Sequence, residues 1–283
     1  MFILFDIGGT KMRVAGARDF DSFGEIKIAE TPTDFNKGIK KLIFLINETA
    51  AGEKIEAIAG GIAGPFGLKT GTLLTSPNLS GWIDKPFRKT LEEEFKTPIY
   101  IENDAAMAGI GEAIKGEGKG YEIVGYITVS TGVGGSRIVN GEIDERSAGF
   151  EPGQQIIDAS QTLCPECSGL ELGRMISGRA LEERFGKKAY EIKEQSVWNE
   201  LADWLGIGLY NTIIHWSPDV MVLGGPMITG SPAIPIDRVK KKVDELLKIF
   251  PKPPKILKST LGDDNGLYGA LEYIKHKDYN NKI

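Results

Sequence analysis

Two glycine-rich turns, each directly after an apolar run, have the residue types that best suit chemistry. The first spans residues 5–11 (FDIGGTK) and the second spans residues 130–136 (STGVGGS). Glycine has no Cβ, so its backbone can approach a ligand closely, and a concave set of amides binds phosphate oxygens. Either turn taken alone is equally well explained as a plain β-hairpin. Two of them, from two halves of a molecule, favour a polyphosphate clamp.

Three side chains of the first turn add to this interpretation. Thr10 supplies a hydroxyl, Lys11 supplies a cation, and Asp6 supplies a carboxylate that could hold a metal ion accompanying the phosphate. The first turn is therefore a candidate phosphate-binding site.

Asp104 lies between a predicted strand, residues 98–102, and a predicted helix, residues 105–114. Asp and Asn are preferred helix N-caps, so Asp104 can be explained as a purely structural residue. The alternative is a general base at the carboxyl edge of a sheet, where open α/β folds bind ligands.

The loop of residues 76–82 (SPNLSGW) contains an amide, Asn78, close to an aromatic ring, Trp82. Sugar hydroxyls need hydrogen bonds and sugar C–H faces pack on apolar rings, so this pair suits a sugar. The competing interpretation is that Trp82 fills the core.

The order strand, hairpin strand, strand, helix, strand in the first part of the chain predicts a mixed sheet with antiparallel members on one side. The same strand–turn–strand pattern recurs at residues 123–143. The expected strands are 2–5, 11–18, 25–29, 55–62, 98–102, 123–130 and 137–143, and the expected helices are 35–51, 85–96, 105–114, 178–185, 194–216, 237–250 and 265–275.

Composition excludes several classes of protein. The chain has 283 residues, 41% of them hydrophobic, and a formal net charge of −5, which argues against general nucleic-acid binding. No apolar run reaches the roughly 18 residues of a membrane-spanning helix, and the N-terminus does not look like a signal peptide. Two cysteines rule out a disulfide scaffold and fit a reducing compartment. We expect a cytoplasmic α/β protein.

Taken together, the motifs resemble the ROK family (repressors, open reading frames and kinases). They are FDIGGTK, GIAGP at 61–65, SPNLSGW, IENDAA and STGVGGS, followed by PDVMVLGG at 218–225 and a helix entry at 261–270. The resemblance implies two ribonuclease H-like (actin-like ATPase) domains, with mixed five-stranded sheets flanked by helices and a cleft between them. The implied domains are residues 1–104 together with a C-terminal helix of about 266–283, and residues 105–265.

The resemblance also implies roles for individual residues. Asp104 matches a catalytic base that takes a proton from a sugar hydroxyl as it attacks the γ-phosphate of ATP, and Asp6 matches an acidic residue near Mg²⁺, which it would hold indirectly. The implied sugar contacts are Asn78, Asn103, Glu151, Gln154 and Glu171. The implied ATP and phosphate contacts are Gly8, Gly9, Thr10, Lys11, Thr131, Gly132, Gly134, Gly224 and Gly225.

The sequence departs from the family pattern where relatives carry a structural zinc site built from one His and three Cys. Gln154 stands at the position of the His, and only Cys164 falls on a family cysteine position. Cys164 and Cys167 form a CPEC pair, which could be half a zinc site or a redox pair. The remaining candidate ligands are His215, expected at the edge of a core, and His276 in a charged tail that we expect to be frayed. We therefore expect no zinc, and a loop held by packing or hydrogen bonds, in which Gln154 could take part.

An ATP-dependent, glucokinase-like hexose kinase is the leading hypothesis, with a sugar and ATP as its small-molecule partners, no nucleic acid and no membrane. A homodimer is what the family suggests. A non-catalytic sugar- or nucleotide-binding relative is the second hypothesis. A sugar-responsive transcriptional regulator is the third, and it is disfavoured because no helix-turn-helix precedes the strand that begins at Phe2.

Overall fold

The computed structural model describes the backbone of residues 1–280 and the burial of side chains for residues 1–277. It divides into two compact units. The first contains Met1–Ile114, Glu145–Gly149 and Asp264–Ile283, of which residues 281–283 lie outside the described part of the chain. The second contains Lys115–Asp144 and Phe150–Asp263.

Strands and helices follow one another in mixed order along the chain. The strands are β1 (Phe2–Ile7), β2 (Lys11–Ala17), β3 (Lys27–Glu30), β4 (Ala57–Ile62), β5 (Phe66–Gly67), β6 (Thr72–Leu73), β7 (Ile99–Asn103), β8 (Ile123–Val129), β9 (Val133–Val139), β10 (Glu142–Ile143), β11 (Val220–Gly224) and β12 (Lys255–Lys258). The α-helices are α1 (Phe35–Ala50), α2 (Phe87–Phe95), α3 (Asp104–Ile114), α4 (Leu172–Ile176), α5 (Gly178–Phe185), α6 (Gln195–Trp216), α7 (Pro226–Thr229), α8 (Ile236–Leu246) and α9 (Asn265–Asn280).

The first unit is built on a five-stranded sheet with the order β3-β2-β1-β4-β7. β1 and β2 form an antiparallel hairpin, whereas β1, β4 and β7 are parallel. Ile7 pairs with Ile62, and Ile62 pairs with Asn103, so these three strands end together. The turn after β1 and the start of α3 therefore share one edge of the sheet.

α1 covers this sheet with the apolar face that its sequence spacing predicts. Ile39, Leu42 and Ile46 are buried in the same core cluster as residues of β1 and β4. Asp34 accepts a hydrogen bond from the Lys37 amide at 2.9 Å and thereby caps the first turn. The helix ends at Ala50, and its C-cap residue, Ala51, has a left-handed φ of 48°.

The second unit is built on a sheet with the order β10-β9-β8-β11-β12, in which β8, β11 and β12 are parallel and β9 returns antiparallel to β8. The two mixed five-stranded sheets match the expected fold class. The long helix α6 fills much of this unit's core, and Trp198, Leu205 and Leu209 are fully buried along it.

α3 and α9 pack together inside the first unit at very short range. An added β-carbon on Gly269 would lie 1.7 Å from the Met107 carbonyl oxygen, and one on Gly111 would lie 2.2 Å from the Asn265 carbonyl oxygen. The division of the chain consequently follows Ile114 rather than Asp104, because α3 stays with the helix on which it packs. α9 extends to Asn280, further than the predicted 275.

Some boundaries differ from those predicted. β9 begins at Val133, inside the predicted turn, because Val133 pairs with Val129 and tightens the hairpin. α8 ends at Leu246, well before the predicted residue 250, and the loop predicted for residues 76–82 contains the 3-10 turn Ser80–Trp82.

Within the described residues, no helix has both the length and the apolar character needed to cross a membrane.

Candidate active site

The first glycine turn joins β1 to β2 and is fixed from two sides. The Gly8 amide donates to the Lys11 carbonyl oxygen at 2.9 Å, and the Gly8 carbonyl oxygen accepts from the Thr31 hydroxyl at 2.9 Å. The Gly8 amide therefore closes the hairpin and does not belong to the set of phosphate-binding amides expected of this turn. Thr10 and Lys11 are exposed at the tip.

Asp6 lies at the end of β1, half-buried beside Arg13. Arg13 Nη1 is 3.4 Å from Asp6 Oδ2, and each side chain is 18% exposed. The start of α9 approaches from another direction, because an added β-carbon on Gly266 would lie 3.5 Å from Asp6 Cγ. This carboxylate is held in place and still reaches solvent.

Asn78 packs directly over the first glycine turn. An added β-carbon on Gly9 would lie 2.3 Å from Asn78 Cβ, so Asn78 and the turn are neighbours in the first unit. Trp82, in contrast, is wholly buried: its ring packs edge-on against Phe35 and Phe87, and Nε1 donates to the Pro32 carbonyl oxygen at 2.9 Å. The sugar-stacking interpretation of Trp82 is therefore wrong, and its interpretation as a core residue is confirmed.

Asp104 opens α3 at the carboxyl end of β7 and is half-buried. Its Oδ1 accepts from the Ala105 amide at 2.8 Å. β4 allows this position because it has Gly61 there: an added β-carbon on Gly61 would lie 2.7 Å from the Asp104 Cα. Asp104 thus sits on the bare backbone of the neighbouring strand, at the edge shared with the first glycine turn.

Asn103, and not Asp104, caps the first turn of α3. Its Oδ1 accepts from the Ala106 amide at 3.1 Å, and its Nδ2 donates to the Gly64 carbonyl oxygen at 3.0 Å. One amide hydrogen and one lone pair of the side chain remain beyond these two bonds.

Glu102, directly before Asn103 and Asp104, was not among the residues that the sequence analysis selected. Glu102 is buried, and its Oε1 accepts from Arg146 Nη2 at 2.6 Å and from the Tyr273 hydroxyl at 3.1 Å. Burial and the Glu102 carboxylate both raise the pKa of Tyr273. The signal was present, since a glutamate directly before Asn103 interrupts an apolar strand, but its partners are distant in sequence.

The second glycine turn lies between β8 and β9 in the second unit. The Gly178 amide at the start of α5 donates to the Ser130 carbonyl oxygen at 2.8 Å, and the Arg179 amide donates to the Thr131 carbonyl oxygen at 3.3 Å. Thr131 and Gly132 are exposed, whereas Gly134 already belongs to β9 and pairs with Thr128.

Gly224 and Gly225 lie at the end of β11, beside this turn. Gly224 pairs with Thr128 of β8. An added β-carbon on Gly225 would lie 2.6 Å from the Thr128 hydroxyl, so the backbone of residue 225 runs against β8. The structure therefore brings the two glycine segments of the second unit together.

The 3-10 turn Pro152–Gln154 packs on the start of β9. An added β-carbon on Gly153 would lie 2.3 Å from the Val133 carbonyl oxygen, so only glycine permits this approach. Glu151 and Gln154 flank the contact and both reach solvent. The protein around Glu151 nevertheless withdraws enough water from the carboxylate to raise its pKa.

Glu171 lies close to this turn, at the start of α4. The Leu172 amide donates to the Gln155 carbonyl oxygen at 2.9 Å, and Ile156 and Glu171 form an isolated β-bridge. The Glu171 carboxylate lies over Gly169, where an added β-carbon would be 2.5 Å from Oε2. Glu151, Gln154 and Glu171 are thus gathered in one part of the second unit.

Cys164 and Cys167 are joined by a disulfide, which agrees with the redox-pair interpretation of the CPEC spacing. Sulfur atoms bonded to each other are not thiolate ligands, and Gln154 offers only an amide, so these residues do not fit the zinc that the family resemblance implies. In the part of the chain that the structure describes, no group of three or more His, Cys, Asp or Glu side chains could hold a metal ion.

Comparisons with known proteins agree with this architecture. The putative fructokinase of Bacillus subtilis is 32% identical over 232 residues, which cover 78% of this chain and 75% of that protein. The crystal structure of a ROK family glucokinase from Streptomyces griseus in complex with glucose and AMPPNP superposes with a TM-score of 0.80 at 25% identity, over 96% of this chain and 98% of that one.

A ROK hexokinase from Thermus thermophilus also has a TM-score of 0.80, at 28% identity, over 98% of this chain and 99% of that one. The sequence model of the ROK family matches residues 3–277. The resemblance seen in the motifs is thereby confirmed along nearly the whole sequence, and this chain, which is similar to sugar kinases, belongs to the ROK family.

Proposed function

We propose that this protein is an ATP-dependent hexose kinase that transfers the γ-phosphate of ATP to the O6 hydroxyl of glucose or a closely related hexose. The observation that carries the proposal is the position of Asp104. Its carboxylate stands at the carboxyl edge of a parallel sheet, on the bare backbone of Gly61 and at the same edge as the first glycine turn.

Asp104 serves as the general base. A carboxylate there accepts the proton from the sugar hydroxyl as the hydroxyl oxygen attacks phosphorus. Because phosphoryl transfer passes through a loose transition state, positioning and neutralisation of charge matter more than a strong base. The bond from the Ala105 amide and the capping by Asn103 keep the carboxylate in one place.

The nucleotide is bound by the glycine segments. Gly9, Thr10 and Lys11 contact phosphate oxygens, with Gly8 shaping the turn rather than donating to the ligand. Thr131, Gly132 and Gly134 form the second phosphate contact, and Gly224 and Gly225 border the adenosine.

Asp6 fits the acidic residue that accompanies Mg²⁺. It is partly exposed, and a site with one carboxylate takes its remaining oxygen ligands from phosphates and water, so it needs no cluster of three protein ligands. Mg²⁺ when bound neutralises phosphate charge. Arg13 holds the Asp6 carboxylate in its orientation.

The sugar is held by Asn78, Asn103, Glu151, Gln154 and Glu171. Carboxylates and amides accept hydrogen bonds from hydroxyls, and a carboxylate short of water, as at Glu151, gains more from such a bond. The bonds that already fix Asn103 leave it one donor and one acceptor for a hydroxyl.

We also propose that the protein acts in the cytoplasm, where ATP is available, as a homodimer in common with its family, and without nucleic acid or membrane as partners.

The test is a kinase assay with ATP, Mg²⁺ and a panel of hexoses, coupled to detection of ADP, with the phosphorylated carbon identified by ³¹P and ¹³C NMR. Asp104→Ala, with Tm and circular dichroism like those of the parent, is expected to lower kcat by at least about 100-fold. Undiminished turnover in this variant would remove Asp104 from the mechanism. Tight hexose binding without any ADP release by the parent would favour a non-catalytic sugar-binding protein instead.

A further inference from the structure

We propose that Asp158 and the Cys164–Cys167 disulfide together hold the segment that carries Glu151 and Glu171, in the place of a metal ion, and that reduction of this disulfide by a dithiol weakens sugar binding. The effect on sugar binding rests on the function proposed above, whereas the support of the segment does not.

Asp158 organises the middle of the segment. It is 4% exposed, and its two carboxylate oxygens accept from the amides of Thr162, Leu163 and Cys164 at 2.8, 2.9 and 3.0 Å. Burial on its own would raise the pKa of Asp158, but the amide bonds outweigh it and lower the pKa. A buried carboxylate with several amide donors closes a loop much as a bound ion would.

The disulfide closes the next turn, directly after the last of these amides. The Cys167 amide donates to the Cys164 carbonyl oxygen at 3.1 Å, and Gln161 Nε2 donates to the Cys167 carbonyl oxygen at 3.2 Å. Both cysteines are buried in the apolar cluster that contains Leu172 and Met175 of α4. The covalent link therefore joins the Asp158 loop to the core beneath α4.

Ion pairs with neighbouring helices also hold the CPEC turn. Glu166, between the two cysteines, pairs with Arg184 Nη2 of α5 at 2.5 Å, and Arg184 Nη1 pairs with Glu200 of α6 at 2.5 Å. These ion pairs connect the CPEC turn to α5 and, through Arg184, to α6.

Both ends of the segment meet at Gln155. The Leu172 amide donates to the Gln155 carbonyl oxygen, and the Gln155 side chain donates to the Pro152 carbonyl oxygen at 2.8 Å and accepts from Asn211 Nδ2 at 3.0 Å. The Ile157 amide donates to the Leu170 carbonyl oxygen at 3.0 Å. The Asp158 loop is thus directly continuous with the bridge that holds Glu171, and we expect a loosening between Asp158 and Cys167 to displace Glu171.

The redox step is a thiol–disulfide exchange. A thiolate of the dithiol attacks the sulfur of Cys167, which is 7% exposed, and Cys164, 1% exposed, leaves as a thiolate that takes up a proton. The second thiol of the reagent then attacks the mixed disulfide, releases Cys167 as a thiol and closes the reagent's own disulfide. Two electrons pass to the protein, and the dithiol is oxidised. Disulfides in reducing compartments are usually transient or redox-sensing.

The first test compares the full chain oxidised with glutathione disulfide and reduced with dithiothreitol. Thiols are counted by mass after alkylation with iodoacetamide, and hydrogen exchange is followed in peptides that cover residues 158–171. We expect no alkylated cysteine before reduction and two after it, with faster exchange of the amides bonded to Asp158. The KM for the hexose is expected to rise about tenfold, while the KM for ATP stays unchanged.

Three variants sharpen the test. Asp158→Ala is expected to raise the hexose KM and hasten exchange in the same peptides, whereas Asp237→Ala, at a carboxylate that is 99% exposed on α8, is expected to do neither. The double variant Cys164→Ser/Cys167→Ser is expected to have the high KM of the reduced protein and no response to dithiothreitol. If Asp158→Ala does not fold, the reduction experiment on the unaltered chain decides alone.

Unchanged exchange and unchanged hexose KM in protein with two alkylated cysteines would overturn the proposal, as would failure of the disulfide to form under oxidation. One equivalent of zinc in protein purified without chelator would overturn it too. Should the protein phosphorylate no hexose, the proposed function fails, yet the exchange of residues 158–171 still decides how the segment is held.

Discussion

The Cα of Asp104 lies where a side chain on Gly61 would have to be, since an added β-carbon there would come within 2.7 Å of it. We expect Gly61→Ala to push the start of α3 away from β4 and to lower kcat by about 100-fold, because displacements near 1 Å have effects of that order. The measurement is steady-state kinetics beside thermal unfolding.

The matched control for this substitution is Gly24→Ala. An added β-carbon at Gly24 would meet its nearest neighbour, the Gly16 carbonyl oxygen, at an ordinary 3.6 Å. Equal kinetics for Gly61→Ala and this control would show that the close approach does not position Asp104.

The buried pair of Glu102 and Arg146 gives a second prediction. Their side chains are 4% and 15% exposed, so Arg146→Ala would leave a buried carboxylate without its cation and should lower the free energy of unfolding by about 3 kcal/mol. Adding Glu102→Gln to Arg146→Ala should restore part of this loss, since a neutral amide costs less to bury. Urea unfolding of the single and double variants measures both effects. If the losses of unfolding free energy for Arg146→Ala and Glu102→Gln simply add in the double variant, the unpaired carboxylate is not the cause of the loss.

Trp82 provides a prediction about the core. Because its ring is fully buried between Phe35 and Phe87, Trp82→Ala should lower the free energy of unfolding by about 3–5 kcal/mol. Leu74→Ala, at a side chain that is 41% exposed, should change it little. A rise in the hexose KM of Trp82→Ala without a loss of stability would contradict this prediction and indicate that Trp82 contacts the sugar.

Glu151 gives a prediction about pH. Its pKa is raised in the folded protein by desolvation, so the folded state holds this proton more tightly than the unfolded state does. The protein therefore loses stability as pH rises from the ordinary pKa of glutamate through the raised value.

Glu151→Gln should consequently have a higher Tm than the parent at pH 7, and the difference should vanish below about pH 4. The same substitution is expected to raise the hexose KM. Scanning calorimetry at the two pH values checks the sign, and a lower Tm for the variant at pH 7 would show that Glu151 is stabilised rather than desolvated.

Much of the fold was predictable because the local sequence patterns predict the same strands and helices that the two sheets contain. Apolar strands that end in glycine turns, and helices with apolar residues at a spacing near 3.6, identified both halves of the chain. The assignment of roles at residues 103 and 104 was harder, because Asn and Asp are both good N-caps. Only the geometry shows that Asn103 caps α3 through the Ala106 amide, whereas Asp104 accepts from the amide of Ala105.

The segment between Glu151 and Glu171 was beyond sequence reasoning. It has no periodicity, and a CPEC spacing is compatible with thiols, a metal or a disulfide. The role of Asp158 depends on three amides that follow it in an irregular loop, and such contacts have no signature in the order of residues. Likewise, the partners of Glu102 come from residues far along the chain.

The division of the chain has a consequence for synthesis on the ribosome. The first unit needs α9, whose Gly269 seats against the backbone of Met107 in α3, yet α9 follows every residue of the second unit in sequence. The second unit can therefore fold while the protein is still being translated. In contrast, α3, which carries Asp104, cannot pack against α9 until α9 has been synthesised. The half of the molecule that is made first is the half that is completed last.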